Sequence, residues 1–305
     1  MNKPRRPPRR HVDGVLLLDK PAGGTSNAAL QKARWLFNAA KAGHTGTLDP
    51  MATGLLPLCL GEATKFAGEL LDADKSYSAT LRLGVTTDTA DADGKVLETR
   101  PVSVSEARWR AATADFCGEI AQVPPMHSAL KRDGKPLYEY ARAGIEVERE
   151  SRRVTIHRIE TVSFSGDEAI IDVDCSKGTY IRTLAADIGE WLGCGAHLVA
   201  LRRTRIGRLD LTAAVTLDQL EAMTLAERDL RLAPADALLA DIPEAVLDER
   251  ETERILHGQG IRWPGEAGQR YRLYSAGRFL GMGGSTVDGW LNPKRLIASE
   301  NGEKR

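Results

Sequence analysis

Apolar residues fall in short runs broken by glycine, proline and charge, a pattern that predicts many short elements. GVLLLDKP (14–21) reads as a buried strand stopped at Pro21. Leu30, Ala33 and Phe37 recur at helical spacing, with Ser26 or Asn27 placed to cap that helix. YSATLRLGV (77–85) alternates as a strand, and TTDTADADGK (86–95) is a polar loop with a turn at Asp93-Gly94. EAIIDVDCSKGTYIRTL (168–184) predicts a strand ending in a Ser-Lys-Gly turn. It places Tyr180 and Arg182 two apart on one strand face. Leu184, Ile188, Trp191 and Leu192 then line one face of a helix that Gly193 can end.

Two segments break the pattern. KAGHTGTLDPMATG (41–54) is loop-like, and 124–154 mixes charge, glycine and tyrosine behind a double proline, as expected of an inserted surface segment. Beyond about residue 235 short Gly-punctuated strands such as RYRLYSAGRFLGMG (270–283) predict a separate small β-rich domain. The expected class is α+β: a mixed-sheet body over 12–240, a basic flexible arm over 1–11, and a β module over 245–305.

With 305 residues the chain can build one large domain and a small one. No apolar run reaches the roughly 20 residues of a membrane helix, and the basic start has no signal-like apolar stretch, so a cytoplasmic location is expected. Cys59, Cys117, Cys175 and Cys194 form no CxxC pair, which argues against a disulfide framework or structural zinc. Cys59 and Cys175 lie in apolar runs and are expected to be buried and inert. Net charge is zero but unevenly spread. LRRTRIGR (201–208) has four arginines and no acid, while 218–260 has eleven acids against four Lys/Arg. Such segregation can leave a basic face for phosphate, or can be salt-bridged surface.

The stretch richest in chemistry is GHTGTLDPMATGLLPLCLGEATK (43–65). Pro50 biases Asp49 towards an extended backbone, and the surrounding glycines permit tight turns and close approach. A carboxylate presented there, ahead of a potential helix start, is ionised at neutral pH if its pKa stays near ~3.9. An N-cap or turn role is the bland alternative for an Asp-Pro pair.

This stretch resembles the catalytic loop of the TruB-type pseudouridine synthases, usually GHxGTLDPxAxGxLxxxxGxATK. DGVLLLDKPAGGTS (13–26) resembles that family's Lys-Pro strand motif, and SKGTYIRTLAADIGEWLGCGAHLVALRRTRIG (176–207) its later active-site segments, in the same order. The resemblance implies the pseudouridine synthase fold with a PUA-like RNA-binding module at the C-terminal end. It implies isomerisation of a T-arm uridine of tRNA, position 55 in tRNA numbering. No cofactor, metal, obligatory protein partner or guide RNA is implied, and a monomer is expected.

By the same resemblance Asp49 is the nucleophile, Arg182 its salt-bridge partner, and Tyr77 the residue that stacks on the target base and shares in the C5 proton transfer. Tyr180 and Leu201 line the uracil pocket, and His44 fills the place of the flipped base. The 124–154 segment is similar to the family's RNA-contacting insertion, PPxYSAxKxxGxxxYexAR, with His127 in place of the usual Tyr. Lys131, Arg132, Lys135 and Arg142 are its candidate phosphate contacts. Lys20 and Pro21 are expected to support the active-site loop. Removing the tail from about residue 240 is expected to weaken RNA affinity more than turnover.

Overall fold

The structure is a computed structural model that describes residues 8–128 and 130–297. The chain opens with β1 (Gly14–Lys20) and α1 (Ser26–Leu36), followed by β2 (Ala42–His44) and β3 (Thr53–Leu60). A 3₁₀ segment (Gly61–Leu70) leads to β4 (Lys75–Leu83) and the hairpin β5 (Val85–Thr87) and β6 (Val96–Thr99). Next come α2 (Glu106–Asp115) and β7 (Gly118–Gln122), then a small unit of β8 (Lys131–Arg132), β9 (Lys135–Pro136) and α3 (Leu137–Arg142). The hairpin β10 (Arg152–Ser165) and β11 (Glu168–Cys175), α4 (Ile181–Leu192), β12 (Ala196–Ile206) and β13 (Leu209–Asp210) follow, and two short helices, α5 (Leu217–Ala222) and α6 (Leu225–Asp229), close the body.

Among the described residues nine strands form one mixed sheet, running β1-β3-β12-β4-β11-β10-β7 with β2 on β3 and β13 on β12. Neighbours are antiparallel except at β3 and β12, which run parallel for two residues, Arg202 opposite Thr53 and Arg203 opposite Gly54. A Cβ on Gly54 would sit 2.2 Å from the Arg203 carbonyl oxygen, so only glycine lets the strands approach this closely. The loop carrying Asp49 leads into this seam.

β1 and β3 are nearly continuous apolar runs because both faces of the sheet are covered here. Leu16, Leu18, Leu56, Leu58 and Leu60 point into the main core with Leu30, Ala33, Leu184 and Ile188 from α1 and α4. Val15, Leu55 and Cys59 point the other way, into a second core shared with Phe66, Phe279 and Met282. Phe279 and Met282 belong to the C-terminal sheet, β14 (Glu244–Val246), β15 (Ile261–Arg262), β16 (Arg270–Ser275), β17 (Arg278–Ser285) and β18 (Trp290–Leu296), ordered β14-β16-β17-β18-β15. The expected β-rich module is therefore present, but it shares a core with the body. The Phe66 and Phe279 rings meet edge-on at 5.5 Å.

Several local expectations are corrected. The cap of α1 is Thr25, whose hydroxyl accepts from the Ala28 N–H; Ser26 turns inward instead. No helix follows Asp49, since the chain passes straight into β3. Tyr180 and Arg182 do not share a strand: β11 ends at Cys175, Tyr180 caps α4 and Arg182 lies in its first turn. Gly193, at φ 86°, does end α4 in the left-handed conformation, but Trp191 stays 39% exposed. The polar loop after β4 is framed by the β5–β6 hairpin.

Most of the anticipated arm, residues 1–7, lies outside the described residues. Its end is fastened down: Arg10 donates its N–H to Asn38 and pairs with Asp229 at 2.6 Å. The arginine-rich 201–208 stretch presents no bare basic face. Arg202 pairs with Asp19 and Arg205 with Asp174, Arg208 binds Asp241, and Arg203 is buried.

Candidate active site

The Asp49 loop is held from below by polar groups that the core would otherwise exclude. Lys20, at 1% exposure, donates its ammonium to the carbonyls of Pro50 (3.3 Å) and Ala52 (2.8 Å). Ser26 brackets Leu48, accepting from its N–H at 2.8 Å and donating to its carbonyl at 3.0 Å. The Gly23 N–H closes onto Pro50, and the Ala52 N–H onto the Asp49 carbonyl. These bonds fix the backbone on both sides of Asp49, leaving its carboxylate half-exposed.

One guanidinium organises the centre. Arg182 reaches Asp49 through Nε at 3.0 Å and Nη2 at 3.3 Å, a bidentate grip. Its other N–H groups go to the carbonyls of His127 (2.6 Å) and Thr89 (3.1 Å), and its Nη1 lies 3.5 Å from the buried Asp91. Burial pushes the Asp49 carboxyl above the usual carboxylate range, and the charge of Arg182 opposes that rise. Asp49 is thus not an unperturbed carboxylate. Nor is it an N-cap.

Beside it lies a pocket of about 160 Å³ lined by Asp49, Tyr77, Tyr180, Ile181, Arg182 and Leu201. Tyr77 stands opposite Arg203 across β4 and β12. Arg203 is 2% exposed, donates to the carbonyls of Leu55 (2.8 Å) and Gly46 (3.2 Å), and has no carboxylate partner among the described residues. Burial raises the Tyr77 phenol, and the Arg203 charge pulls against that shift. The Tyr180 backbone is clasped by the buried Gln122 amide, at 3.1 Å to its N–H and 3.3 Å to its carbonyl.

The structure brings together five of the residues expected from sequence, Asp49, Tyr77, Tyr180, Arg182 and Leu201, around this pocket. His44 opens on an adjoining cleft of about 640 Å³ with Asp49, Lys131 and Arg142. Burial and the Arg203 charge lower the His44 pKa, which disfavours the charged imidazolium. Arg132 faces a different surface groove beside Arg149 and Arg152. Lys135 packs over the Tyr140 ring, 4.8 Å from its centroid.

Asp91, Gln122, Ser128 and Arg203 complete the surroundings without having been singled out in the sequence. Arg203 lies in the arginine-rich 201–208 stretch, and nothing in the local sequence separates this buried arginine from its paired neighbours. Cys59 and Cys175 are buried, their thiols pushed up to about 12 and about 11. No cluster of metal-binding type occurs among the described residues, and no helix is long and apolar enough to cross a membrane.

Comparison with known proteins matches this arrangement to one family. Residues 34–181 match the N-terminal domain of the TruB family pseudouridylate synthases, residues 182–245 the tRNA pseudouridylate synthase B C-terminal domain, and residues 243–297 the C-terminal domain of pseudouridine synthase II TruB. The tRNA pseudouridine synthase B of Azoarcus sp. (strain BH72) is 61% identical over 299 residues, covering 98% of this chain and 99% of that protein. The chain belongs to the TruB family.

A second TruB relative, the tRNA pseudouridine synthase B of Chromobacterium violaceum, is 58% identical across 98% of this chain and 99% of its own length. The fold extends further. An H/ACA ribonucleoprotein bound to a substrate RNA containing 2'-deoxyuridine gives a TM-score of 0.70 at 23% identity, covering 94% of this chain and 86% of that one. A Cbf5-Nop10-Gar1 complex gives 0.69 at 25% identity, covering 94% and 84%. The mixed-sheet body and β-rich C-terminal domain are thus the TruB pseudouridine synthase architecture.

Proposed function

We propose that this chain isomerises the T-arm uridine of tRNA (position 55 in tRNA numbering) to pseudouridine, with Asp49 as nucleophile and no cofactor. The observation that carries the reading is the bidentate Arg182–Asp49 pair at the mouth of a pocket walled by Tyr77, Tyr180 and Leu201. The reaction breaks the bond from N1 of uracil to the ribose, turns the base in place, and forms a bond from C5 to the same carbon. The C5 proton leaves and N1 gains one, so atoms and electrons balance without an oxidant or reductant. Such chemistry needs an ionised nucleophile, a group to take part in the proton transfer, and walls that hold a free uracil. Asp49, Tyr77, and Tyr180 with Leu201 have those roles in this reading.

A base in a folded T loop must be everted to reach the pocket, at a cost of a few kcal/mol. His44, beside Asp49, takes the vacated place. Lys131 and Arg142 line the approach cleft and contact phosphates, and Arg132 and Lys135 extend that contact along the insertion. The C-terminal sheet contacts tRNA away from the modified loop. The names of the relatives, tRNA pseudouridine synthase B, support tRNA as the substrate.

The test is pseudouridine mapping on an unmodified tRNA transcript incubated with the purified chain alone. Modification at the T-arm uridine by the wild type, and none by an Asp49→Asn variant that still binds tRNA, is the expected result. Modification elsewhere, a need for a guide RNA or second protein, or activity in the Asn variant overturns the reading.

A further inference from the structure

We infer that Ser128 is a base-recognition residue, whose hydroxyl donates a hydrogen bond to a carbonyl of the everted uracil. The inference rests on the function proposed above and deepens it. Ser128 is 5% exposed and lines both the uracil pocket and the cleft that leads to it. Its Oγ has no hydrogen-bond partner among the described residues. The interaction of its hydroxyl with the Tyr180 phenol holds the Tyr180 pKa down against the upward push of burial without forming a full hydrogen bond. A buried hydroxyl left unpaired costs free energy, so native structures keep few of them without a function or an external partner.

The position of Ser128 is set from three sides. The carbonyl of the preceding residue, His127, accepts from Arg182 at 2.6 Å. The Ser128 carbonyl accepts from the Tyr138 N–H at 3.1 Å, and that of Leu130 from the Leu137 N–H at 2.7 Å. The segment is therefore pinned to the arginine that grips Asp49 and to the start of α3. Ser128 lines the same pocket as Asp49 and Tyr180. Tyr77 and Leu201 offer this space broad apolar surfaces, and Asp49 and Arg182 are engaged with each other. A uracil presents two carbonyls and an N–H between them, and the serine hydroxyl is a free neutral donor for one of those oxygens. It thereby helps the site hold a uracil against bases with a different polar edge.

The experiment compares wild type and Ser128→Ala on synthetic T-arm stem-loops that carry uridine, 2-thiouridine or 4-thiouridine at the target, with single-turnover rates and thermal unfolding recorded. Sulfur is a poorer acceptor than oxygen. The wild type should lose rate on one of the two thio substrates, and Ser128→Ala should be slower on uridine by about 3- to 10-fold, the scale of one neutral hydrogen bond. On the penalised thio substrate wild type and variant should converge. The free variant should unfold at the wild-type temperature or above it, because removing an unpaired buried hydroxyl relieves a cost. Equal thio penalties in both proteins, wild-type rates in the variant, or a clear loss of stability would overturn the assignment. Failure of the wild type to modify uridine in both the stem-loop and full tRNA would instead sink the proposed function itself.

Discussion

Arg182 holds Asp49 from a position of almost complete burial: its side chain is 4% exposed, while that of the carboxylate it grips is 34% exposed. The carboxylate is therefore the solvent-facing member of the pair, and the arginine is its fixed support. Asp91 at 3.5 Å and two backbone carbonyls leave the guanidinium little freedom to turn.

Replacing Arg182 by lysine keeps a charge but loses the fork that engages the carboxylate and both carbonyls at once. The single-turnover rate should fall on the order of 100-fold, about 2.7 kcal/mol of barrier, with tRNA affinity changed much less. Rapid-quench kinetics beside filter binding measures both. Equal losses in rate and affinity would point to a collapsed site.

Asp49 should show itself in the pH profile. Burial raises its pKa, and in the proposed mechanism the reactive form is the ionised one, so the rate should fall as pH drops through that raised value. The acid limb then lies above the ~3.9 of a free aspartate. Arg182 opposes the shift, so in Arg182→Met the limb should move to still higher pH. A limb that stays in place in the variant argues that some other group controls it.

Arg203 should matter to stability as well as to rate. Arg203→Met leaves the Leu55 and Gly46 carbonyls without this donor and takes a cation from beside Tyr77. A loss of roughly 1–3 kcal/mol in denaturant unfolding is expected. A stability equal to that of the wild type would show that the buried charge is no asset to the fold.

The shared second core changes what removal of the tail should do. Truncation near residue 240 strips Phe279 and Met282 from Phe66 and Leu55, so stability should be lost before any selective effect on affinity can be read. Phe279→Ala is the milder probe. It should cost about 3–5 kcal/mol. Calorimetry should show one transition lowered as a unit, and two separate transitions would contradict the shared core.

Elements with a strong local signal were legible in the sequence. The alternation of β4, the Gly193 stop and the apolar run of β1 each leave a trace in the local run of residue types, although the strands pair with distant segments. The site was legible in residue identity but not in local geometry. Tyr180 and Arg182 looked like strand neighbours because the turn at 176–179 and the first turn of α4 carry no apolar period that separates them from β11. Asp91 lay hidden in a loop whose acids all looked solvated, since its partner Arg182 is 91 residues away in sequence. The arginines of 201–208 fit a phosphate-facing patch or a salt-bridged surface equally in the sequence, because their counter-ions, Asp19, Asp174 and Asp241, come from distant parts of the chain. Long-range pairing of charge leaves no periodic trace.

The short contact from Arg182 to the His127 carbonyl joins two parts of the molecule with different duties. One of the guanidinium's N–H groups is committed to the His127 carbonyl on the wall of the cleft, and another to the Asp49 carboxylate. An RNA strand that shifted residues 126–128 by even an ångström would change the pull on the carboxylate without touching it. In the proposed reaction, the readiness of the Asp49 oxygen is in this way tied to how the polymer lies outside.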